Sequence, residues 1–242
     1  GKAPWRPTGR PAPPLPALCP YWITPRPGTA FEARTAAASR GDATAMAVSE
    51  RKSSRGFEAR LTQIARCLSE IYALDVDLDV ARYVMDPKRA RPHAPPKAPR
   101  TGVLVVEESD FVWLGLYVDA RDRGDLGTLI EETSHLLCLA QHAHWNLPVS
   151  RVALELQGEV DRFIHAREHG RDPFRHFHHF RWATGLAPEA LDRYRMAHRR
   201  GERYCRRLAR RFPRKSDTPG LWSELRHFYR ASPLSKLAIA DT

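Results

Sequence analysis

The segments DLGTLIEETSHLLCLAQHAH (residues 125–144) and SRVALELQGEVDRFIHAR (residues 150–167) decide the fold of this chain. In each segment the apolar residues recur every three or four positions, which is the spacing of one face of an α-helix. Asp125 and Ser150 stand where N-cap residues are expected, because their side chains can accept hydrogen bonds from the first backbone N–H groups of a helix. Pro148 marks the short turn between the segments, so the sequence predicts two antiparallel neighbouring helices.

Apolar periodicity predicts further helices on both sides of this pair. One covers residues 57–73, another covers residues 188–212, and a third begins at Thr218. Residues 102–106 and 111–118 are rich in β-branched and aromatic side chains and are separated by a polar turn, which predicts an antiparallel hairpin. The predicted fold is therefore mainly α, a helical bundle with one small antiparallel β-hairpin.

The N-terminal part of the chain has a different composition. Nine of the first 27 residues are proline, and no helical or strand periodicity appears before about residue 45. Such a segment cannot bury enough apolar surface to offset the entropy lost on ordering. We predict that residues 1–54 form a disordered tail rich in Pro, Ala and Arg, and that residues 55–240 form a single mainly helical domain. Met46 is the hypothetical start of natural translation.

The composition of the chain indicates a soluble, cytoplasmic protein. No apolar run approaches the roughly 20 residues of a membrane-spanning helix, and the N-terminus lacks the apolar segment of a signal peptide. The four cysteines are widely separated, so neither a zinc ribbon nor a dense disulfide framework is expected. Glycine-rich nucleotide-binding motifs, the G-x-S-x-G elbow and the kinase motifs are absent, which argues against nucleotide-dependent catalysis.

Acidic side chains and a histidine are concentrated on the predicted helix pair. Glu131, Glu132 and His135 lie in the first helix, and Glu155 and Glu159 lie one turn apart in the second. Their spacing resembles that of the zincin and gluzincin metallohydrolases, although a Glu stands where the first His of H-E-x-x-H belongs. The resemblance implies Glu132 as the catalytic base. It implies as metal ligands Glu131, His135, Glu155 and Glu159.

Four roles can be assigned to these side chains. One is a single divalent metal site in which Glu132 polarises water for hydrolysis, with a preference for harder ions such as iron or manganese. A second is a dimetal centre that would also use Glu58 or Glu70, together with Glu224 and His227. A third is a buried hydrogen-bonded network in which the Glu and His residues join Gln157 and Asp161 and which fixes packing of the neighbouring helices. The fourth is a metal-free site for acid-base chemistry or for a cationic ligand.

Basic residues are concentrated in residues 162–215, which hold 16 Lys and Arg against 5 Asp and Glu in a chain of net charge +11. Arginines at helical spacing between residues 193 and 211 predict a cationic stripe that could hold a phosphate backbone or an acidic protein surface. The candidate residues are Arg199, Arg203, Arg206, Arg207 and Arg210. The alternative is a solvated arginine face.

Residues 175–182 combine cationic and aromatic side chains. This composition is typical of segments that stack on bases and neutralise phosphates. The alternative is an amphipathic turn in which Phe174, Phe177 and Phe180 pack inward and the histidines face solvent. The second interpretation is the more common outcome for a short aromatic segment of a helical protein.

The sequence thus predicts a cytoplasmic protein with a Glu/His polar site between two helices, acting as a metal-dependent hydrolase with one divalent ion as cofactor. The alternative is a non-enzymatic module that uses its arginine-rich helix to bind nucleic acid or an acidic protein. Neither hypothesis involves a membrane. The two hypotheses depend on different residues, so they can be tested separately.

Overall fold

The computed structural model describes residues 22–23, 46–95, 98–108, 111–180 and 186–242. Within these ranges the fold is mainly α-helical, as the sequence predicts. The helices are α1 (Met46–Tyr72), α2 (Pro87–Ala90), α3 (Leu126–His144), α4 (Arg151–Glu168), α5 (Arg175–His178), α6 (Pro188–Arg211), α7 (Thr218–Arg230) and α8 (Pro233–Asp241). No helix of the described ranges combines the length and the apolar character needed to cross a membrane.

The strands form a three-stranded sheet and a separate two-stranded pair. The strands are β1 (Trp22–Ile23), β2 (Val84–Met85), β3 (Gly102–Glu108), β4 (Phe111–Tyr117) and β5 (Val149–Ser150). β3 and β4 pair antiparallel, but β2 pairs parallel with the other edge of β4. The sheet is therefore mixed, which corrects the prediction of a lone antiparallel hairpin. A two-residue strand is too short to show the alternation from which strands are predicted.

Most of the predicted tail, residues 1–54, lies outside the described residues. Within it, β1 pairs antiparallel with β5. Helix α1 begins at Met46, eleven positions before the Phe57 at which the apolar periodicity starts. The separation of the chain into a tail and one domain stays a prediction.

The helix pair that decides the fold begins at its two predicted caps. Asp125 accepts hydrogen bonds from the backbone N–H groups of Gly127 and Thr128, and Ser150 accepts one from Ala153. α4 is the central helix, because it packs against α3 on one side, α6 on another and α8 near the C-terminus. Four of its apolar side chains are fully buried in the core, namely Leu156, Val160, Phe163 and Ile164. This position places the polar residues of α4 between several helices.

Candidate metal centre

Helices α3 and α4 bring one imidazole and two carboxylates together. Ligand atoms of Glu131, His135 and Glu155 all lie within 4.8 Å of one another, and no other such group occurs in the described part of the chain. His135 Nε2 lies 3.7 Å from Glu155 Oε2. Gly158 makes the close approach of the helices possible, since a Cβ at this position would lie 3.3 Å from His135 Nε2. Three of the four predicted metal ligands therefore converge.

Glu132 faces Nδ1, the other ring nitrogen of His135. Its Oε2 atom is 3.7 Å from His135 Nδ1, and both side chains are about nine-tenths buried. Metal-binding histidines usually direct their second nitrogen at a carboxylate or carbonyl, which fixes the tautomer and the orientation of the ring. The position of Glu132 suits this orienting role, and the general-base role that the sequence suggests stays a prediction.

Glu159, the fourth predicted ligand, is held by a different set of side chains. Its Oε1 lies 3.0 Å from His198 Nδ1, and its Oε2 lies 3.3 Å from His176 Nε2. Burial would raise the pKa of this carboxyl, but the contacts with His176, His198 and Arg162 hold it well below its usual range. Gly201 allows α6 to pack closely against Glu159, because a Cβ atom at position 201 would lie only 2.8 Å from the Cβ atom of Glu159.

Two arginines fix the carboxylates of the cluster. Arg162 forms an ion pair with Glu131 Oε2 and donates from Nε to the Gly127 carbonyl at 3.2 Å. Arg193 of α6 donates from Nε to Glu155 Oε1 at 3.4 Å, which leaves Oε2 facing His135. Arg162 follows Glu155 by seven positions, so helical spacing could have revealed that both lie on one face of α4. Arg193 lies 38 positions after Glu155 in the sequence, so no helical spacing could link the two residues.

The titration behaviour of the cluster reflects burial and crowding of like charges. Burial, with a smaller contribution from Glu131, raises the pKa of Glu155 to about 7 against the opposing effect of His135. Burial would lower the pKa of His135, but Glu132, Glu155 and Glu131 together raise it to about 9. At neutral pH the metal-free cluster therefore holds a protonated imidazole. That proton must leave before Nε2 can bind a metal.

Several atoms of the cluster are buried and lack hydrogen bonds. Glu132 Oε2, His135 Nε2 and Glu155 Oε2 form no hydrogen bond with any group of the described residues. Buried polar atoms are nearly always hydrogen-bonded, so each exception needs an explanation. With the imidazole neutral and every carboxyl group ionised, the carboxylates of Glu131, Glu132, Glu155 and Glu159 exceed the guanidinium groups of Arg162 and Arg193 by two negative charges. A divalent cation would neutralise that excess and supply a partner for the nitrogen and oxygen atoms.

The residues required for a dimetal centre do not converge on this site. Glu224 lies on α7 and accepts a hydrogen bond from Arg211 at 3.0 Å. α7 packs against α1 and α8, whereas the Glu/His group lies between α3 and α4. Within the described residues the dimetal hypothesis therefore lacks its second Glu-x-x-His pair.

The predicted cationic residues of α6 do not all face the same way. Arg199, Arg203, Arg206 and Arg210 are exposed, whereas Arg207 is half-buried and donates to the Ile239 carbonyl at 2.6 Å. Arg207 therefore holds α8 against α6.

The aromatic residues of the neighbouring segment pack inward. Phe177 is buried, and the guanidinium of Arg206 covers the Phe174 ring at 5.1 Å from its centroid. His178 and His179 are exposed. The positions of Phe174, Phe177, His178 and His179 favour the amphipathic-turn interpretation, whereas His176 departs from it because its Nε2 atom contacts Glu159. Residues 181–182 of the predicted segment lie outside the described residues.

No protein-family model, curated protein or solved structure matches this chain. A fold would in any case leave the function open, because unrelated activities occur on the same fold. The chemistry of the site is therefore the basis on which function can be argued.

Proposed function

We propose that Glu131, His135 and Glu155 bind one divalent metal ion and that the site catalyses a metal-dependent hydrolysis. The observation that carries the proposal is the convergence of buried Nε2 and Oε2 atoms that lack hydrogen bonds within the described residues. A purely structural network would pair these atoms with one another or with neighbouring groups. Their distance of 3.7 Å is too long for a hydrogen bond but leaves room for shared coordination.

The donor set indicates the class of metal. One imidazole nitrogen and two carboxylate oxygens suit manganese, iron or zinc, whereas magnesium and calcium prefer oxygen ligands alone. Three protein ligands are the usual number in catalytic metal sites, because the remaining positions are open to water and substrate. A divalent ion held there would act as a Lewis acid towards water and a substrate oxygen.

The surrounding side chains have supporting roles. Glu132 Oε2 lies 3.7 Å from Nδ1 of His135, and the other ring nitrogen, Nε2, faces Glu155, so Glu132 would orient the imidazole when a metal binds Nε2. Arg162 and Arg193 each take one oxygen of a ligand carboxylate, which fixes the orientation of the other oxygen. These contacts preorganise the ligands before a metal arrives, and preorganisation is what a catalytic site requires.

The test combines metal removal with chromogenic substrates. Protein stripped of metal with EDTA is reconstituted separately with Mn²⁺, Fe²⁺ and Zn²⁺. Each sample is assayed with a nitrophenyl phosphate monoester, a nitrophenyl phosphodiester, a nitrophenyl carboxylate ester and a peptide nitroanilide. The wild type should hydrolyse at least one substrate class in a metal-dependent way. His135→Ala should lose at least about 100-fold of that activity, because ligand loss exceeds the usual 10–100-fold effect of outer-shell changes.

The matched control replaces His178 and His179 with Ala, because both imidazoles are exposed and lie outside the cluster. This variant should retain wild-type activity. Hydrolysis that survives EDTA, or that is equal in His135→Ala, would overturn the proposed role of the metal. If the wild type binds metal but hydrolyses none of the substrates, the proposed metal site stands and the proposed hydrolytic activity is overturned.

A further inference from the structure

Five arginines form a continuous stripe on the exposed face of α6. The arginine stripe consists of Arg195, Arg199, Arg203, Arg206 and Arg210, all of which are exposed. Their spacing of three or four residues places them on one side of the helix over about 22 Å, at 1.5 Å per residue. The opposite side of α6, including Ala197, Gly201 and Leu208, is buried against the core. The stripe therefore faces away from the candidate metal centre.

Internal ion pairs account for only part of the stripe. Arg203 lies 3.3 Å from Asp241, and Arg206 lies 2.7 Å from Glu202. Arg195, Arg199 and Arg210 form no hydrogen bond or ion pair with any group of the described residues. Like charges one turn apart destabilise a helix, so stability does not explain the arrangement. An anionic partner would compensate the repulsion.

The side chains around the stripe identify the kind of anion. We propose that the arginine stripe binds the phosphate backbone of a nucleic acid duplex. Guanidinium groups match phosphate oxygens in bidentate geometry, and successive phosphates present charge along a line as the stripe does. Single-stranded nucleic acids are bound by stacking bases on exposed aromatic rings, and no large aromatic side chain is exposed among the residues whose burial the structure describes.

An acidic protein surface fits the stripe less well. Stable protein interfaces contain a desolvated centre with aromatic or apolar anchors. Met196, 38% exposed, is the exposed large apolar side chain of α6 within the described residues. A linear row of cations without apolar anchors corresponds instead to contacts that position a duplex without reading its sequence.

The experiment measures binding of a labelled duplex by fluorescence anisotropy. The probe is a DNA duplex of about 20 base pairs, titrated at several salt concentrations between about 50 and 300 mM. The test variant replaces Arg195, Arg199 and Arg210 with Gln. The control variant replaces Arg60, Arg66 and Arg89 with Gln, because these arginines are exposed on other helices and the change in net charge is the same.

The test variant should bind at least tenfold more weakly at low salt. Its plot of log affinity against log salt should be less steep by about 3, one unit for each lost phosphate contact. The control variant and His135→Ala should bind like the wild type, which separates this proposal from the metal site. Circular dichroism checks that all variants remain helical.

Four outcomes would overturn the proposal. They are an absence of duplex binding by the wild type, an equal loss of binding in the test and control variants, tighter binding of the single strand of the same sequence, and tighter binding of polyglutamate. The last result would assign the stripe to an acidic protein. Equal loss in both variants would show that only the net charge matters.

Discussion

Two buried polar clusters share helix α4, and they differ in how completely their atoms are hydrogen-bonded. On one face, Gln157 and Asp161 join Tyr72 of α1 and Lys236 of α8 in what we call the Tyr72 network. On the other face, the Glu/His cluster consists of the residues Glu131, Glu132, His135 and Glu155. Both clusters contain charged groups removed from water. Both therefore carry a desolvation cost that some interaction must offset.

The Tyr72 network meets this requirement with protein groups alone. Tyr72 donates to Asp161 Oδ1, and Gln157 Nε2 donates to Asp161 Oδ1 at 3.0 Å. Lys236 donates from Nζ to Gln157 Oε1 at 3.0 Å and lies 5.1 Å from the centroid of the Tyr229 ring. The network fastens α8 to the core through a buried lysine. None of its four residues has a buried polar side-chain atom without a hydrogen bond, which is what a structural role requires.

The Glu/His cluster does not meet the requirement within the described residues. Its imidazole and carboxylates lie 3.7 Å apart, and three of its buried atoms form no hydrogen bond there. The contrast shows that burial alone does not identify a functional site. A cluster that is buried, charged and incompletely paired is the better candidate for binding a ligand.

The largest expected effect is on stability and concerns the Tyr72 network. Asp161→Ala should reduce the free energy of unfolding by about 3–5 kcal/mol, because it removes the shared acceptor and the buried carboxylate that favours the charged form of Lys236. Asp161→Asn, which keeps an acceptor oxygen, should cost less. Glu155→Gln should lower the free energy of unfolding of the metal-free protein by less than about 1 kcal/mol, or raise it, because the substitution removes a buried charge. Urea unfolding at pH 7 compares them.

A cost of similar size for Glu155→Gln would remove the distinction between the clusters. So would a loss below about 1 kcal/mol for Asp161→Ala, since a structural network must contribute to stability. Both variants are compared with the wild type in EDTA.

The next effect is a dependence of stability on pH in the metal-free protein. The pKa of Glu155 is raised from 4.5 to about 7. The stabilisation that Glu155 contributes to the folded state is therefore fully present below pH 4.5 and is lost as the pH rises through 7. The pKa of His135 is raised from 6.5 to about 9, so its contribution is present below pH 6.5 and is lost as pH rises through 9. Both groups act in the same direction. The combined loss should be on the order of a few kcal/mol.

Glu155→Gln isolates the lower part of this pH range. The difference between wild type and variant in free energy of unfolding should change between pH 4.5 and 7 and level off above it. Chemical unfolding in EDTA at pH 5, 6, 7 and 8 measures the difference. A difference that does not vary with pH would show that the Glu155 carboxyl titrates normally and is not crowded by like charges.

A smaller effect is expected from Glu132, which lies on the far nitrogen of His135. Glu132→Ala should lower the affinity for Mn²⁺ about 10–100-fold, because the imidazole loses the carboxylate that orients it. Glu132→Gln should recover part of the loss, since an amide oxygen at this position could also accept a hydrogen bond from Nδ1. Asp161→Asn should leave the affinity unchanged. Calorimetric titration measures all three, and equal effects of the Ala variants of Glu132 and the exposed Glu189 would contradict the orienting role.

The sequence predicted much of the helical framework. Asp125 and Ser150 mark the helix starts because capping depends on side chains adjacent in sequence. The approach of His135 and Glu155 could be predicted because a short turn makes consecutive helices antiparallel neighbours. β2 could not be predicted, since its pairing with β4 depends on tertiary structure. Helix α8 was also missed.

The site was predicted only in part, because some residues that contact one another in the structure lie far apart in the sequence. Gln157 and Asp161 lie beside Glu155 in sequence, and the hypothesis of a structural network grouped them with the Glu/His residues. The structure places them on another face of α4 with Tyr72 and Lys236. Nothing local to Lys236 marks it as buried, because lysine is normally exposed. Its burial depends on how α8 packs.

The most direct test of the central claim is the metal content of the purified protein. Untagged wild type, His135→Ala and the double variant His178→Ala/His179→Ala are prepared in parallel and measured by inductively coupled plasma mass spectrometry. The metal-site account predicts close to one divalent transition metal ion per chain in the wild type and the double variant, and none in His135→Ala. Wild-type protein that stays metal-free after incubation with Mn²⁺, Fe²⁺ and Zn²⁺, or metal that is lost only from the double variant, would contradict it.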